Sequence, residues 1–227
     1  MSIAANYMKN RYENMKIGMI LLAAGYSRRF GSNKLLYEIE GRPMYLRTLD
    51  QLIQAGKELA EDKNENKGKE KNSRPQKQAL VLETAVVTQY QEIKETAKSQ
   101  GVTVLINHYP EKGISSSLKT GLEYFKDTDA CLFAVADQPW LTSGTIAGLV
   151  RLFLKSGKGI ACVSREKQPG NPCIFARKYY PQLMALTGDK GGKRVLNAHL
   201  EDTAFFEAAD SRETADMDFQ ESFASEQ

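Results

Sequence analysis

One stretch of the chain decides the fold prediction: Ile20-Leu21-Leu22-Ala23-Ala24-Gly25-Tyr26-Ser27-Arg28-Arg29-Phe30-Gly31-Ser32-Asn33-Lys34. An apolar strand pattern (17–22) runs directly into a loop of small residues, and basic residues follow. Small residues let the backbone approach a ligand closely, and successive backbone N–H groups of such a loop can point into one concavity. Arg29 and Lys34 would supply the positive charge that a polyphosphate needs. The stretch therefore predicts a loop that cradles a triphosphate.

The stretch matches neither of the two common phosphate-binding loops. A P-loop requires G-x-x-x-x-G-K-[ST], and the dinucleotide fingerprint requires G-x-G-x-x-G directly after the strand. Here Gly25 and Gly31 stand alone. The alternative interpretation is an ordinary strand-to-helix turn with solvated basic residues.

Composition and charge narrow the class of protein. The 227 residues suffice for one sizeable α/β domain or two small ones, and the hydrophobic content is 41%. A net charge of +3, with the basic residues spread along the chain, argues against nucleic acid as a partner. No apolar run approaches the ~20 residues that span a bilayer, so no membrane association is expected. The polar start of the chain and three scattered cysteines predict a cytoplasmic protein with reduced thiols.

Alternating strand and helix patterns predict the architecture. Residues 1–15 are interpreted as a loose leader, and 35–40 as a short extended piece. Strands are predicted at 17–22, 79–88, 102–107, 130–136 and 159–164. Helices are predicted at 43–59, 89–99, 115–125 and 142–155, the last with Thr142 or Ser143 as N-cap. This alternation indicates a single Rossmann-like three-layer α/β/α domain with a mostly parallel sheet, which binds ligands at the C-terminal ends of its strands.

A highly charged segment interrupts this pattern at Glu58 to Gln78. It consists almost entirely of Lys, Glu, Asn, Gln, Asp and Gly. Such a composition cannot bury enough apolar surface to offset the entropy lost on ordering. The segment is predicted to be a mobile surface insertion and not a domain boundary, and a solvated extension of the preceding helix is the alternative for its first third.

Two acidic motifs are candidates for metal binding. Asp137-Gln138-Pro139 follows the buried strand at 130–136, and Mg²⁺ prefers one or two carboxylates together with substrate phosphates. In Asp216-Met217-Asp218 the alternation places both carboxylates on one side of an extended chain, which suits a second ligand. A turn-forming Asp-x-Pro and a solvated acidic patch are the respective alternatives.

Two further segments could contact anionic ligands. Gly113-Ile114-Ser115-Ser116-Ser117 precedes a predicted helix, where hydroxyl and N–H groups can bind anions or polar base edges, or where a serine simply caps the helix. The segments Gly170-Asn171-Pro172 and Thr187-Gly188-Asp189-Lys190-Gly191-Gly192-Lys193-Arg194 suit a second anionic ligand opposite the triphosphate. A mobile glycine loop with solvated lysines is the alternative for the latter.

Six motifs, taken in order, resemble the molybdopterin nucleotidyltransferase family, and within it the molybdenum cofactor cytidylyltransferases, which have the nucleotide-diphospho-sugar transferase type of fold. They are Leu22-Ala23-Ala24-Gly25 through Lys34, Gly113 through Leu118, Ala136-Asp137-Gln138-Pro139, Gly170-Asn171-Pro172, Thr187-Gly188-Asp189-Lys190-Gly191 and Asp216-Met217-Asp218. The resemblance extends from about 17 to 222, except for the charged insertion.

The resemblance implies a role for each matched residue. Nucleotide binding would involve Leu22, Ala23, Ala24, Gly25, Ser27, Arg29, Lys34, Gly113 and Ser117. The catalytic residues would be Lys34, Arg29 and Asp137. Mg²⁺ would be the cofactor, held by Asp137 and Asp218. The acceptor would contact Gln138, Gly170, Asn171, Asp189, Lys190 and Lys193.

The resemblance also bears on the choice of nucleotide. The cytidylyl branch has A-A-G where the guanylyl branch has L-A-G-G, and the methyl group of Ala24 would narrow the base pocket to suit a pyrimidine. Three departures from the family pattern occur: Phe30 replaces Met, Ala136 replaces Gly, and Phe219-Gln220-Glu221-Ser222 replaces T-P-E-D. The last departure leaves open whether Asp216 or Asp218 is the second metal ligand.

The expected reaction is transfer of CMP from CTP to the terminal phosphate of molybdopterin, with release of pyrophosphate. A molybdenum hydroxylase would be the client that receives the product. The alternatives are a GTP-dependent molybdopterin guanylyltransferase and a transferase that acts on a sugar phosphate or polyol phosphate. A nucleotide-dependent oxidoreductase and a non-catalytic carrier of the cofactor are alternatives from other classes.

Overall fold

A computed structural model of the chain describes residues 15–25, 33–66, 80–166 and 168–217, except for the side chains of 62–66. Some sequence predictions fall outside these ranges. They concern nearly all of the leader, the insertion beyond Asn66, and the site residues Ser27, Arg29 and Asp218.

The described residues form strands and helices in alternation. The strands are β1 (Lys16–Ala23), β2 (Glu38–Ile39), β3 (Arg42–Pro43), β4 (Val81–Thr88), β5 (Thr103–Ile106), β6 (Ala130–Val135), β7 (Ile160–Arg165), β8 (Gln168–Ala176) and β9 (Thr203–Glu207). The helices are α1 (Met44–Asn66), α2 (Gln91–Ser99), α3 (Ile114–Tyr124), α4 (Ser143–Ser156), α5 (Tyr180–Met184) and α6 (Lys193–Asn197). Short 3-10 turns lie at Lys34–Leu36, Pro110–Lys112, Arg177–Tyr179, Leu200–Asp202 and Ser211–Thr214.

Seven strands form one sheet in the order β5-β4-β1-β6-β8-β7-β9. Strand β8 runs antiparallel to both of its neighbours, and all the other neighbouring strands are parallel. The five predicted strands are confirmed as β1, β4, β5, β6 and β7. Strands β8 and β9 were not predicted, because Pro169, Gly170 and Pro172 give β8 the composition of a loop and β9 is a short edge strand.

Helices cover both faces of the sheet. Successive residues of β1 point to opposite faces, so Met19 packs in one core cluster and Ile20 in another. The first cluster contains the apolar faces of α1, α2 and α4, and the second contains those of α3, α5 and α6. The mostly parallel three-layer α/β/α prediction is therefore confirmed. Within the described ranges, no helix is long and apolar enough to cross a membrane.

Two secondary-structure predictions need correction, and one predicted helix cap is confirmed. Helix α1 continues to Asn66, so the first third of the charged segment is a helix extension, which was the alternative interpretation. The piece at 35–40 is not simply extended: a 3-10 turn (Lys34–Leu36) leads into the β2–β3 hairpin. Thr142 caps α4 as predicted, because its side chain accepts a hydrogen bond from the Thr145 N–H at 3.2 Å.

The parallel register aligns the ends of three central strands. Leu22 of β1 lies beside Val135 of β6, and Ala23 of β1 lies beside Thr88 of β4. The loops that follow these strands consequently begin at neighbouring positions on one edge of the sheet, where ligands bind in open α/β sheets.

Candidate active site

Lys34 and Asp137 meet at this edge. Asn33 caps the 3-10 turn through a hydrogen bond from the Leu35 N–H to its side-chain oxygen, and buried Leu35 anchors the turn in the core. Lys34 Nζ then donates to Asp137 Oδ2 at 2.8 Å. Both side chains are partly buried, so solvent screens the pair less than it would screen an ion pair on the open surface.

Three consecutive residues at the end of β4 hold the small-residue loop. The Thr88 hydroxyl donates to the Ala23 carbonyl at 2.9 Å, the Gln89 amide to the Ala24 carbonyl at 2.8 Å, and the Tyr90 hydroxyl to the Gly25 carbonyl at 2.8 Å. These three hydrogen bonds hold the backbone of residues 23–25, at the start of the loop. These three residues were not predicted as site residues, although their position next to β1 in the register could have indicated them.

The opposite wall is built around Gly113. Its φ of 79° lies in the left-handed region, and a Cβ placed on it would lie 2.3 Å from Asp189 Oδ1. The Ser115 N–H donates to the Gly188 carbonyl at 3.1 Å, which fixes the turn at 188–189 against the start of α3. Asp189, which was predicted to contact the acceptor, therefore lies beside the predicted base pocket.

Ser117 lies one turn further into α3 and is buried. Its hydroxyl accepts a hydrogen bond from the Asn107 amide at 2.9 Å. Asn107 follows β5, so the third strand of the parallel half also contributes to this wall.

These elements enclose a cleft of about 370 Å³. It is lined by Leu22, Ala24, Gly25, Lys34, Leu35, Pro110, Glu111, Gly113, Ile114, Ser117, Val135, Ala136, Asp137 and Asp189. The residues predicted for nucleotide binding are thus brought together, apart from buried Ala23 and the two that lie outside the described ranges. Small and apolar residues line one part of the cleft, and the Lys34–Asp137 pair marks the charged part.

The C-terminal segment contacts the Asp137 turn from the other side. The Gln138 amide donates to Asp216 Oδ1 at 2.9 Å and to the Thr214 carbonyl at 3.2 Å. The Met217 N–H donates to the Asp137 carbonyl at 3.0 Å. Gln138 was predicted to contact the acceptor, but its side chain is 2% exposed and it does not line the cleft.

The remaining predicted acceptor residues lie outside the cleft lining. Gly170 and Asn171 belong to β8, and the Cys173 thiol donates to the Gly170 carbonyl at 3.0 Å. The neighbouring Cys162 thiol and burial raise the pKa of Cys173 well above its ordinary value, so this thiol stays protonated. Lys193 is exposed at the start of α6, and Lys190 is exposed just before this helix.

The donor chemistry of the cleft fits a hard divalent cation. Asp137 offers a carboxylate at its mouth, and Mg²⁺ commonly uses one or two carboxylates and completes its shell with phosphate oxygens and water. Among the described residues, no group of three or more His, Cys, Asp or Glu side chains forms a self-sufficient metal site.

Comparison with known proteins agrees with this geometry. The profile of the MobA-like NTP transferase domain matches residues 19–203. The probable molybdenum cofactor guanylyltransferase of Pyrococcus horikoshii is 27% identical to this chain over 154 residues. That alignment covers 66% of this chain and 63% of the relative, so it spans less than two thirds of the relative's length.

Two solved structures share the fold. A nucleotidyl transferase from Methanothermobacter thermautotroptrophicus has a TM-score of 0.66 at 21% identity, and the match covers 90% of this chain and 92% of that one. Rv0371c from Mycobacterium tuberculosis H37Rv has a TM-score of 0.64 at 18% identity, with coverage of 86% and 88%. This likeness concerns the fold alone, and it confirms the α/β architecture.

Proposed function

Because the chain belongs to the family of MobA-like NTP transferase domains, we propose that it is a nucleotidyltransferase. It transfers the nucleoside monophosphate part of a nucleoside triphosphate to a phosphorylated acceptor and releases pyrophosphate. The observation that carries this proposal is the Lys34–Asp137 pair, which lies in one cleft with the small-residue loop.

The reaction requires no nucleophile from the protein. A phosphate oxygen of the acceptor attacks the α-phosphorus in line, the bond from the α-phosphorus to the bridging oxygen breaks, and pyrophosphate leaves. Catalysis of such a step depends on positioning and charge stabilisation. Lys34, together with Arg29, neutralises the negative charge that grows on the leaving pyrophosphate.

Mg²⁺ held by Asp137 supplies further positive charge on the phosphates when it is bound. The protein contributes the orientation of the Asp137 carboxylate through β6, whose last residue pairs with Leu22 of β1. The small-residue loop and Gly113 receive the base and ribose, and side chains of residues 88–90 hold the carbonyls of residues 23–25.

The acceptor we propose is molybdopterin, and the proposed nucleotide is GTP. The relatives named probable molybdenum cofactor guanylyltransferases support both assignments. CTP is the second candidate nucleotide, because Ala24 lines the cleft and its methyl group reduces the space for a purine.

Pyrophosphate release tests the proposal. The protein is incubated with Mg²⁺, molybdopterin and one of GTP, CTP, ATP or UTP, and each reaction is repeated with Lys34→Ala. Release with GTP supports the proposal, and release with CTP alone moves the protein to the cytidylyl branch. Nucleotide binding without release from any of the four would overturn molybdopterin as the acceptor and favour another phosphorylated acceptor or a carrier protein.

A matched variant separates the two nucleotides. Ala24→Gly removes the methyl group from the cleft wall. If this methyl group restricts the base pocket, the ratio of kcat/KM for GTP over CTP rises in the variant. An unchanged ratio would show that Ala24 does not select the base.

A further inference from the structure

The segment at 211–217 follows the last strand and is fastened at its first turn. Glu213 is 3% exposed, and its Oε2 accepts hydrogen bonds from the Thr142 N–H at 3.1 Å and the Thr142 hydroxyl at 2.8 Å. Thr142 is the N-cap of α4, where a carboxylate is stabilised by the free N–H groups of the helix. This contact attaches the segment to a rigid helix terminus.

The second attachment is made by Gln138. Its single amide nitrogen bridges the Thr214 carbonyl and Asp216 Oδ1, which lie two residues apart along the segment. The adjacent backbone completes the contact, since the Met217 N–H donates to the Asp137 carbonyl. The residue that carries the proposed catalytic carboxylate is thus bonded directly to the C-terminal segment.

The segment also lies close to the predicted acceptor side. A Cβ placed on Gly170 would lie 3.6 Å from both Cβ and Cγ2 of Thr214, so Thr214 is about one methyl group away from Gly170. One short segment therefore contacts the α4 terminus and the Asp137 turn and lies beside the Gly170 end of β8.

We propose that Gln138 is a positioning residue: by fastening the segment at 211–217 it holds the Asp137 turn in register with the Gly170 end of β8. The inference rests on the proposed nucleotidyl transfer and goes beyond it. Because Gln138 is buried and lies outside the cleft lining, its effect is exerted on the placement of Asp137 relative to the acceptor side. Misplacement of this kind lowers turnover more than it weakens nucleotide binding, because Asp137 is one of several residues that line the nucleotide cleft.

Amide hydrogen exchange tests the fastening without any assay of activity. Gln138→Met keeps the length of the side chain and removes its amide. We expect the Met217 amide to exchange at least about 10-fold faster in this variant. The bonds from Gln138 to Thr214 and Asp216 are lost, and these bonds hold the Met217 N–H against the Asp137 carbonyl. Gln54→Met, on the exposed face of α1, is the control and leaves Met217 unchanged. Equal Met217 exchange in Gln138→Met and the wild type would overturn the inference.

Kinetics tests the consequence. In Gln138→Met we expect kcat to fall about 10- to 100-fold, with a smaller rise in the nucleotide Kd. Faster Met217 exchange with an unchanged kcat would overturn the positioning role. A wild-type protein that releases no pyrophosphate would instead overturn the proposed function. The exchange result would still show whether Gln138 holds the segment at 211–217 in place.

A second variant guards against one that merely fails to fold. Asp216→Ala removes one acceptor of the Gln138 amide without changing Gln138. In a double-mutant cycle with Gln138→Met, followed by Met217 exchange, the double variant should exchange little faster than Gln138→Met alone. Additive effects in the cycle would show that the Gln138–Asp216 contact does not fasten the segment.

Discussion

Lys34 and Asp137 form an ion pair across 103 residues of sequence, with Nζ 2.8 Å from Oδ2. The pair holds the Lys34 ammonium group at the charged part of the cleft, where the proposed nucleotide phosphates would lie. A preorganised cation is most effective where negative charge develops during the reaction.

The first prediction concerns the ammonium group of Lys34. Lys34→Ala should lower kcat for pyrophosphate release by about 10²- to 10³-fold, which is typical when one charge-stabilising donor is removed. Circular dichroism and thermal melting should show an intact fold. Lys126→Ala, on an exposed surface ion pair, is the control and keeps full turnover. Unchanged turnover in Lys34→Ala would refute the proposed role.

The second prediction concerns the Gly113 wall of the cleft. Gly113→Ala introduces a methyl group that collides with Asp189 and Gly188, and it should raise the nucleotide Kd about 10- to 100-fold. Gly101→Ala is a matched control, because Gly101 has a similar φ of 73° and nothing within 4 Å of its added Cβ. Both variants place a side chain at positive φ, but Gly113 also has a ψ of −173°, which essentially only glycine adopts. Weaker nucleotide binding by Gly113→Ala therefore reports distortion of this wall by collision and backbone strain together. Equal binding by the two variants would contradict the prediction.

The third prediction concerns the hydrogen bond from Tyr90 to the Gly25 carbonyl. Tyr90→Phe removes the hydroxyl group and should raise the nucleotide KM about 3- to 10-fold, because one carbonyl of the loop loses its donor. Tyr124→Phe removes a hydroxyl that donates to Glu83, and it should leave the nucleotide KM unchanged. Steady-state kinetics of both variants checks this, and an equal KM in both would argue against a clamped loop.

The fourth prediction concerns acid stability. Burial opposes ionisation of Asp202, but hydrogen bonds from Lys178, Tyr179 and the Gly159 N–H outweigh it and lower its pKa from 3.8 to about 2. Because the folded-state pKa is lowered, the carboxylate stabilises the fold above about pH 4, and this contribution is lost as the pH falls through about 2. After screening by solvent around exposed Lys178, we expect about 1 kcal/mol.

Urea unfolding between pH 2 and pH 5 measures this contribution. The free energy of unfolding of Asp202→Asn should fall below that of the wild type at pH 5, and the two should converge toward pH 2. Asp127→Asn, at an exposed carboxylate, should follow the wild type throughout. A difference that is independent of pH would assign the loss to packing and not to ionisation.

The parts of the fold that were predictable from the sequence are those with a strong local signal. The strand β6 is a continuous apolar run because it is buried on both faces, and the cap at Thr142 is a local interaction. Strand β8 gives no such signal. Its prolines and Gly170 indicate a loop, and only pairing with β6 and β7 makes it a strand.

The residues of the candidate site also differ in how far the sequence predicts them. Lys34, Asp137 and Gly113 belong to motifs whose chemistry is evident from the residue types. The clamp at Thr88, Gln89 and Tyr90 depends on the register between two strands, and the bond from Gln138 to Asp216 joins residues 78 positions apart. Such contacts follow from tertiary packing, which no local pattern encodes.

The reversed direction of β8 has a consequence for how such a protein can diversify. Gly170 and Asn171 stand near the start of β8, within a hairpin whose strands β7 and β8 are adjacent in sequence. The nucleotide cleft, in contrast, is assembled from distant loops after β1, β5 and β6. A contiguous hairpin can be exchanged by one insertion or recombination event, whereas the cleft can be rebuilt only by coordinated changes in several distant segments.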